Sequence, residues 1–526
     1  MGGRKMGRKR LGFISLFMVL ALVLSGCNWW KQSDSKGGSG EVVVGLVSEP
    51  DSVDIHRTSS TGEANTPLYD TLLKLDDEGN IVPNLITDYE IVGDGKEVIF
   101  NLKEGEKFHS GKAVNAEAVK LSFERLVESS PFSTNAGDID SIDVLSEYSF
   151  KITWKNQFAP FFINATTSFL APIDVSVLDE KGEGFEKNPS GSGPLKLSKI
   201  NRGDSLVYEP YKDFDWNDGG PGFDSVKFRF IPDEETRILE FKKGNVDVLL
   251  NVPYQYIEDL EKDSEVTIER VPGDVLSYLG WNNKLPIFQD KKVRQAIAMA
   301  IDRDSIIDNT LNGEAKAVFG PLPKAAFGYS EKIETMAHEK YTRDTEQAKK
   351  LLAEAGWKET NKDGVAMKDG KPFAVDLWVD DDPANQRAAQ VIQNQLMEIG
   401  IKINISVKES ATIIEQTPKG AHQMLLWSFG WPDADVLNFL LFGKEKSKRL
   451  HYENVEIYSI LDKAAIEMDQ DARLKLYEEV MKMLVEESPF VPLYVKENIT
   501  AVRNFESFKI HPIEGTIQWQ DVKVKE

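Results

Sequence analysis

An α/β fold of at least two domains is what this sequence predicts, and three observations predict it. The chain has 526 residues, too many for one hydrophobic core, so at least two domains are expected. Segments that alternate apolar and polar residues, as half-buried strands do, are interleaved with segments whose apolar residues recur every three or four positions, as in helices. Phe373 to Val379, a helix from Pro383 to Ile399, and Ile401 to Val407 make a β-α-β unit. Such a crossover implies parallel strands and a doubly wound lobe.

The N-terminus reads as an export segment. Arg4, Lys5, Arg8, Lys9 and Arg10 precede an uncharged apolar run from Leu11 to Leu24. That run is shorter than the roughly 20 residues a spanning helix needs, and it suits a signal peptide over residues 1–26. It ends Leu24-Ser25-Gly26-Cys27, which resembles a lipobox. Cleavage before Cys27 and lipidation of its thiol are expected; a plain signal peptide with an incidental cysteine is the alternative. Cys27 is the only cysteine, which excludes an intramolecular disulfide and a cysteine-based metal cluster. Residues 27–40 are polar and rich in Gly and Ser, a flexible tether. The expected location is the outer face of the cytoplasmic membrane, reached through the lipid anchor.

Charge narrows the class further. Residues 1–26 hold five of the 63 basic side chains and none of the 85 acidic ones, so the exported chain carries a formal charge of −27. Binding phosphates needs the opposite sign, which argues against a nucleic-acid partner.

Along the first half, Glu41 to Val47 is a β-branched strand. Val98, Phe100 and Leu102 alternate with Ile99, Asn101 and Lys103, a strand with one buried face. A turn-rich loop from Lys107 to Lys112 follows, and Asn115 can then cap a helix with Val119, Phe123 and Leu126 on one face. Residues 139–154 read as a hairpin around Ser146-Glu147, and Ala159 to Ala165 as a short buried helix. Pro232 to Gly244 is a helix opened by proline and acids and closed by lysines and glycine. Val266 to Val271 is a strand. In the second half, Asp290 to Arg303 and Ala348 to Trp357 are helices, the latter closed by Gly356. Met424 to Trp427 is a buried strand, and the acidic turn after it opens a helix. Residues 454–487 hold two amphipathic helices.

Residues 88–125 carry the most specific pattern. They read Phe100-Asn101-Leu102-Lys103-Glu104-Gly105-Glu106-Lys107-Phe108-His109-Ser110-Gly111, then Ser122-Phe123-Glu124-Arg125. This resembles the signature of the family 5 extracellular solute-binding proteins, the receptors of peptide- and nickel-type ABC importers, with Lys103 in place of the usual Arg. Ser48 to Asp54, the Tyr69-Asp70 segment (a helix from Thr66 to Leu73 in that pattern), Val82 to Leu85, Gly191-Ser192-Gly193-Pro194, Gly244 to Asp247 and Val293 to Arg303 resemble further family segments in the same order.

The resemblance implies a large periplasmic-binding-protein-like fold with an extra small subdomain and lobes joined by a two-segment hinge. Lobe I is expected over 41–272 and 495–526, with the subdomain at 56–185, and lobe II over 273–494. The chain is expected to cross near 273–278 and 490–498. It further implies a monomeric binding protein rather than an enzyme, without a cofactor, that hands a small solute to permease and ATPase subunits of an importer. An oligopeptide or peptide-like compound is the expected solute, and a nickel–chelator complex the alternative within the family.

The cleft residues expected from this reading are His56, Trp281, Asn282, Asp380, Trp427, Trp431 and Asp433. Tryptophans supply stacking area and Asp433 a charge partner; core packing is the alternative for the tryptophans. The aspartates at 380–382 can bind an ammonium or simply start a helix. Dipeptide-binding members of the family place an Asp three positions after the first aromatic of the 427 segment, where Gly430 stands here. They also place an Arg before the 383–399 helix, where Asp380-Asp381-Asp382 stand. Both departures set this chain apart from ordinary dipeptide recognition. An exported hydrolase is the rival class, but no Gly-x-Ser-x-Gly or His-Glu-x-x-His occurs. His56, His109, His338, His422, His451 and His511 are scattered without ligand spacing, so no protein-only metal site is expected.

Overall fold

The computed structural model describes residues 40–58, 62–178, 184–216, 220–442 and 449–525. The signal segment, Cys27 and the tether up to residue 39 lie outside the described residues.

One mixed sheet of eleven strands organises the chain from Gly40 onward. Across the sheet the order is Lys402–Val407, Ala374–Val379, Met424–Gly430, Val266–Trp281, Phe490–Arg503, Val248–Leu249, Glu41–Leu46, Ser225–Phe230, Ser205–Pro210 and Leu195–Asn201. Ala315–Ala317 pairs with Phe490–Arg503 off this path. The β-α-β unit forms as its periodicity predicts: Ala374–Val379 and Lys402–Val407 are parallel, joined through the helix Pro383–Glu398.

Two long antiparallel strands, Val266–Trp281 and Phe490–Arg503, connect the lobes. Their first halves pair from Val266 with Arg503 to Pro272 with Glu497, their second halves from Leu276 with Val495 to Gly280 with Phe490. The register shifts between Pro272 and Leu276, and the hydrophobic core changes at the same place. Val271 and Val502 pack with Val42, Val226 and Trp519. Leu276 and Val495 pack with Trp281, Ile297 and Leu426. Gly273 is needed at this joint, because a Cβ there would stand 2.5 Å from the Lys496 carbonyl oxygen. What reads in the sequence as a strand ending at Val271 and a separate crossing near 273–278 is therefore one strand with an irregularity, since the ladder resumes after Pro272.

A separate four-stranded antiparallel sheet has the order Ile86–Val92, Glu97–Leu102, Ser149–Trp154, Ile139–Ser146. Val98, Phe100 and Leu102 are buried, Phe100 stacks on Phe150 at 5.2 Å, and Trp154 and Phe161 complete the core. The helix Ala116–Ser129 lies against it, with Asn115 Oδ1 accepting from the Ala118 amide at 3.0 Å. Deleting such a cap costs about 1 kcal/mol.

One predicted helix is absent. Thr66–Leu68 forms a single 3₁₀ turn, and Tyr69 is already extended (φ −121°, ψ 140°). The Thr71 hydroxyl donates to the Leu73 carbonyl at 2.6 Å, and Leu73–Leu75 pairs as a strand with Ile81–Pro83. Local side-chain bonds and strand pairing outcompete the helix here. The acidic turn after Trp431 leads into a π-type helix, Leu437–Phe442. Among the described residues no helix is long and apolar enough to cross a membrane.

Candidate ligand cleft

The Phe108-His109-Ser110-Gly111 loop is a structural clamp. The His109 amide donates to the Gly191 carbonyl at 2.8 Å, and its Nε2 meets the Gly193 carbonyl at 2.9 Å. Burial lowers the His109 pKa to about 4, so the ring is neutral and Nε2 is the donor. The clamp presses the 191–194 turn against Pro67 and Leu68. The Gly193 amide donates to the Leu68 carbonyl at 3.0 Å. A Cβ on Gly191 would stand 2.1 Å from the Leu68 oxygen, and one on Gly193 2.5 Å from that of Pro67, so only glycine permits the approach. Tyr69 is fixed from the other side, its hydroxyl donating to the Val53 carbonyl. Pro67, Tyr69 and Pro194 become one rigid wall.

A second wall comes from the C-terminal turn. His511 Nδ1 accepts from the amides of Ile513 and Glu514, and the Ile517 amide donates to the Glu63 carboxylate at 3.1 Å. Residues 513–520 are thereby tied to the 63–69 segment.

Beside these walls lies a cavity of about 470 Å³, within the size range of small-ligand sites. Residues 63–84, 166–169 and 513–520 supply most of its lining, including Glu63, Tyr69, Asp70, Phe169, Glu514 and Trp519. Ala325 and Pro432 face them, and Asp274 and Asn498 come from the two connecting strands. The lining carries the carboxylates of Glu63, Asp70, Asp274 and Glu514 and a single ammonium, Lys74. Burial pushes Glu63 up to about 7, against the Ile517 amide and helped by Glu514. Burial also raises Asp70 to about 6, opposed by hydrogen bonds from Asn84 and the Thr71 amide.

The residues singled out from sequence fall elsewhere. His56 is fully buried, with Nε2 3.3 Å from the Ala171 carbonyl and its pKa lowered to about 4 by burial and Arg125. Trp281 is core, stacked on Phe288 at 5.7 Å, with Nε1 donating to Asn283 Oδ1. Asn282 is buried and donates to the Gly420 carbonyl at 3.1 Å. Asp380 accepts from Asn385 Nδ2 at 3.0 Å, and Asp382 caps the helix through the Ala384 and Asn385 amides. Asp433 is fully buried in a bidentate pair with Arg473, both contacts at 2.7 Å. These five spend their polar atoms or rings on contacts within the fold and are not among the residues that line this cavity. Trp427 is half-buried, with the Arg449 guanidinium 6.0 Å from its ring centre. Trp431 is half-buried beside Pro432, which does line the cavity.

Sequence reasoning passed over Glu63, Asp274, Asn498 and the 513–520 turn. Only Asp274 carried a signal, the Pro272-Gly273 pair that breaks a strand pattern.

The family model for bacterial extracellular solute-binding proteins, family 5 Middle, matches residues 80–448. The chain belongs to that family. The oligopeptide-binding protein AppA of Bacillus subtilis is 29% identical over 97% of both chains. The solved structure of AppA in complex with a nonapeptide is 27% identical, covers 93% of this chain and 99% of AppA, and has a TM-score of 0.67. The nickel ABC transporter structure from Bacillus halodurans is 25% identical, covers 92% of this chain and all of that one, with a TM-score of 0.79. In this family 5 protein the cavity lies where residues 63–84, 166–169, 325, 432 and 513–520 meet Asp274 and Asn498 of the two long paired strands.

Proposed function

We propose that this protein is the peptide-capturing lipoprotein of an ABC importer. It encloses an oligopeptide between its lobes and presents the closed form to the permease and ATPase subunits. The observation that carries this reading is the cavity lined at once by lobe I, by Ala325 and Pro432, and by Asp274 and Asn498 on the connecting strands. Bending at the joint near Gly273 would bring those surfaces together, the motion by which hinged binding proteins close. The bodies that move are taken as 41–272 with 495–526 against 273–494, with 56–185 riding on the first. Trp427 and Trp431 are offered as the aromatic surface that lobe II brings to the ligand. Cys27 is proposed as the lipidated residue that holds a monomer at the outer face of the membrane.

The likeness to AppA over nearly the whole chain supports a peptide ligand. The nickel ABC transporter of comparable fold keeps a metal chelate as the second reading. Among the described residues no three His, Cys, Asp or Glu side chains are gathered as metal ligands, so a metal would have to arrive with its own chelator.

Native mass spectrometry of the full chain, purified in detergent and fragmented after release of any bound mass, tests the assignment. A released peptide is expected. A metal–chelate isotope pattern would replace it with the second reading, and steady release of shortened peptide from added substrate would revive the hydrolase.

A further inference from the structure

Among the described residues no acid of the cavity lining is ion-paired with a lysine or arginine. Asp274 makes no side-chain hydrogen bond or ion pair among the described residues. Gly430, the ladder partner of the adjacent Val275, offers no side chain to cover it, and a Cβ there would lie 3.6 Å from Asp274 Oδ2. Glu63 is held by the Ile517 amide alone. Asp70 is held by Asn84 and its neighbouring amide. Glu514 faces His511 at 3.8 Å, but that Nδ1 accepts two backbone amides and so brings no positive charge. Lys74 is the single cation of the lining, and Glu106 adds a further negative field at Asp70. Elsewhere two buried acids are paired with arginine, Asp433 with Arg473 and Asp54 with Arg125.

Withdrawing a carboxylate from water without a cation is costly, and burial raises the pKa of Glu63, Asp70 and Glu514. A site that keeps several therefore gains most from a ligand that supplies the missing charge. The wall also contains Trp519, 3% exposed, whose Nε1 has no hydrogen-bond partner among the described residues, and Tyr69 and Phe169, whose ring faces attract cations.

We infer that the cleft selects a ligand with net positive charge, a peptide bearing basic side chains, with Glu63, Asp274 and Glu514 as its charge partners. This rests on the peptide reading and deepens it. Anionic solutes, including acidic peptides and carboxylate-rich metal chelates, are disfavoured by the same field.

Calorimetric titration of the full chain with tri-lysine, tri-alanine, tri-glutamate and spermidine tests it. Tri-lysine is expected to bind at least about tenfold more tightly than tri-alanine, the weight of one charge-assisted hydrogen bond, and tri-glutamate not measurably. Asp274→Asn, at an exposed position without partners, is expected to narrow the tri-lysine to tri-alanine ratio by about tenfold. Tri-alanine or tri-glutamate binding as tightly as tri-lysine would overturn the charge preference and leave the peptide reading intact. Spermidine binding with no tripeptide bound would overturn the peptide reading and keep the charge preference. Silence from all four would overturn both. An unchanged ratio in Asp274→Asn would remove that residue from the site.

Discussion

Asp433 and Glu63 are both acids withdrawn from bulk water, and their surroundings could hardly differ more. Asp433 accepts both arms of the Arg473 guanidinium, which also meets the Tyr477 hydroxyl at 2.9 Å and lies over the Phe327 ring. Burial alone would lower Arg473, yet Asp433 beside it holds its pKa above the ordinary value. Glu63 has one backbone amide and another acid for company. A completed ion pair is a fastener: it anchors the loop that bears Trp431 and Pro432 and bridges to Phe327. An uncompleted one is a vacancy for charge, and such vacancies belong where a ligand will sit.

The sharpest way to break this contrast is to remove one side of the fastener. Arg473→Met leaves Asp433 buried without a cation and is expected to destabilise the protein by about 3–5 kcal/mol, read from denaturant unfolding. Adding Asp433→Leu to Arg473→Met should recover part of that loss, because the stranded charge goes with it. If Arg473→Met unfolded like the native chain, the pair would not be the fastener described, and Asp433 would return to consideration as a ligand contact.

The cavity acids should respond in the opposite sense. Their folded pKa values lie above the unfolded ones, Glu63 at about 7 against 4.5 and Asp70 at about 6 against 3.8. The folded state therefore holds protons that the unfolded chain has released, and this contribution to stability is complete below the unfolded values and lost as pH rises through the folded ones. The unfolding midpoint of ligand-free protein should fall between pH 5 and pH 8, and Glu63→Gln should flatten that fall while raising the midpoint at pH 8. A pH profile identical in Glu63→Gln would show that this carboxylate carries no uncompensated charge.

The same contrast explains what could be read from the sequence. Alternation at Val98, Phe100 and Leu102, the cap at Asn115 and the β-α-β unit are short-range patterns, and each formed where periodicity placed it. The family motif at 100–125 was legible for a different reason: Phe108, His109 and Gly111 form a clamp whose partners at 191–193 carry an equally ordered motif. The cavity was not legible because its wall joins residues near 63–75, 166–169, 274 and 513–520, which only the fold brings together. Residue type misled as well. A tryptophan announces a large apolar surface without saying whether protein or ligand will cover it, and Trp281 is covered by Phe288. An aspartate announces a charge, and whether Arg473 lies behind it is invisible forty positions away.

The aspartates at 380–382 are a third case, between fastener and vacancy, and the smallest effect belongs to them. Asp382 Oδ1 accepts from the Ala384 amide at 2.6 Å and the Asn385 amide at 3.2 Å, while Asp380 orients the Asn385 side chain. Their charge is answered by the first turn of a sixteen-residue helix, where amides and dipole favour an anion. Asp382→Ala should cost about 1 kcal/mol of stability and Asp380→Ala less, and neither should change the affinity for tri-lysine in the titration above. A fall in that affinity with stability unchanged would place the loop in the closed cleft. The chain would then meet a cationic ligand from both lobes, and the division between answered and unanswered acids would hold only for the open form.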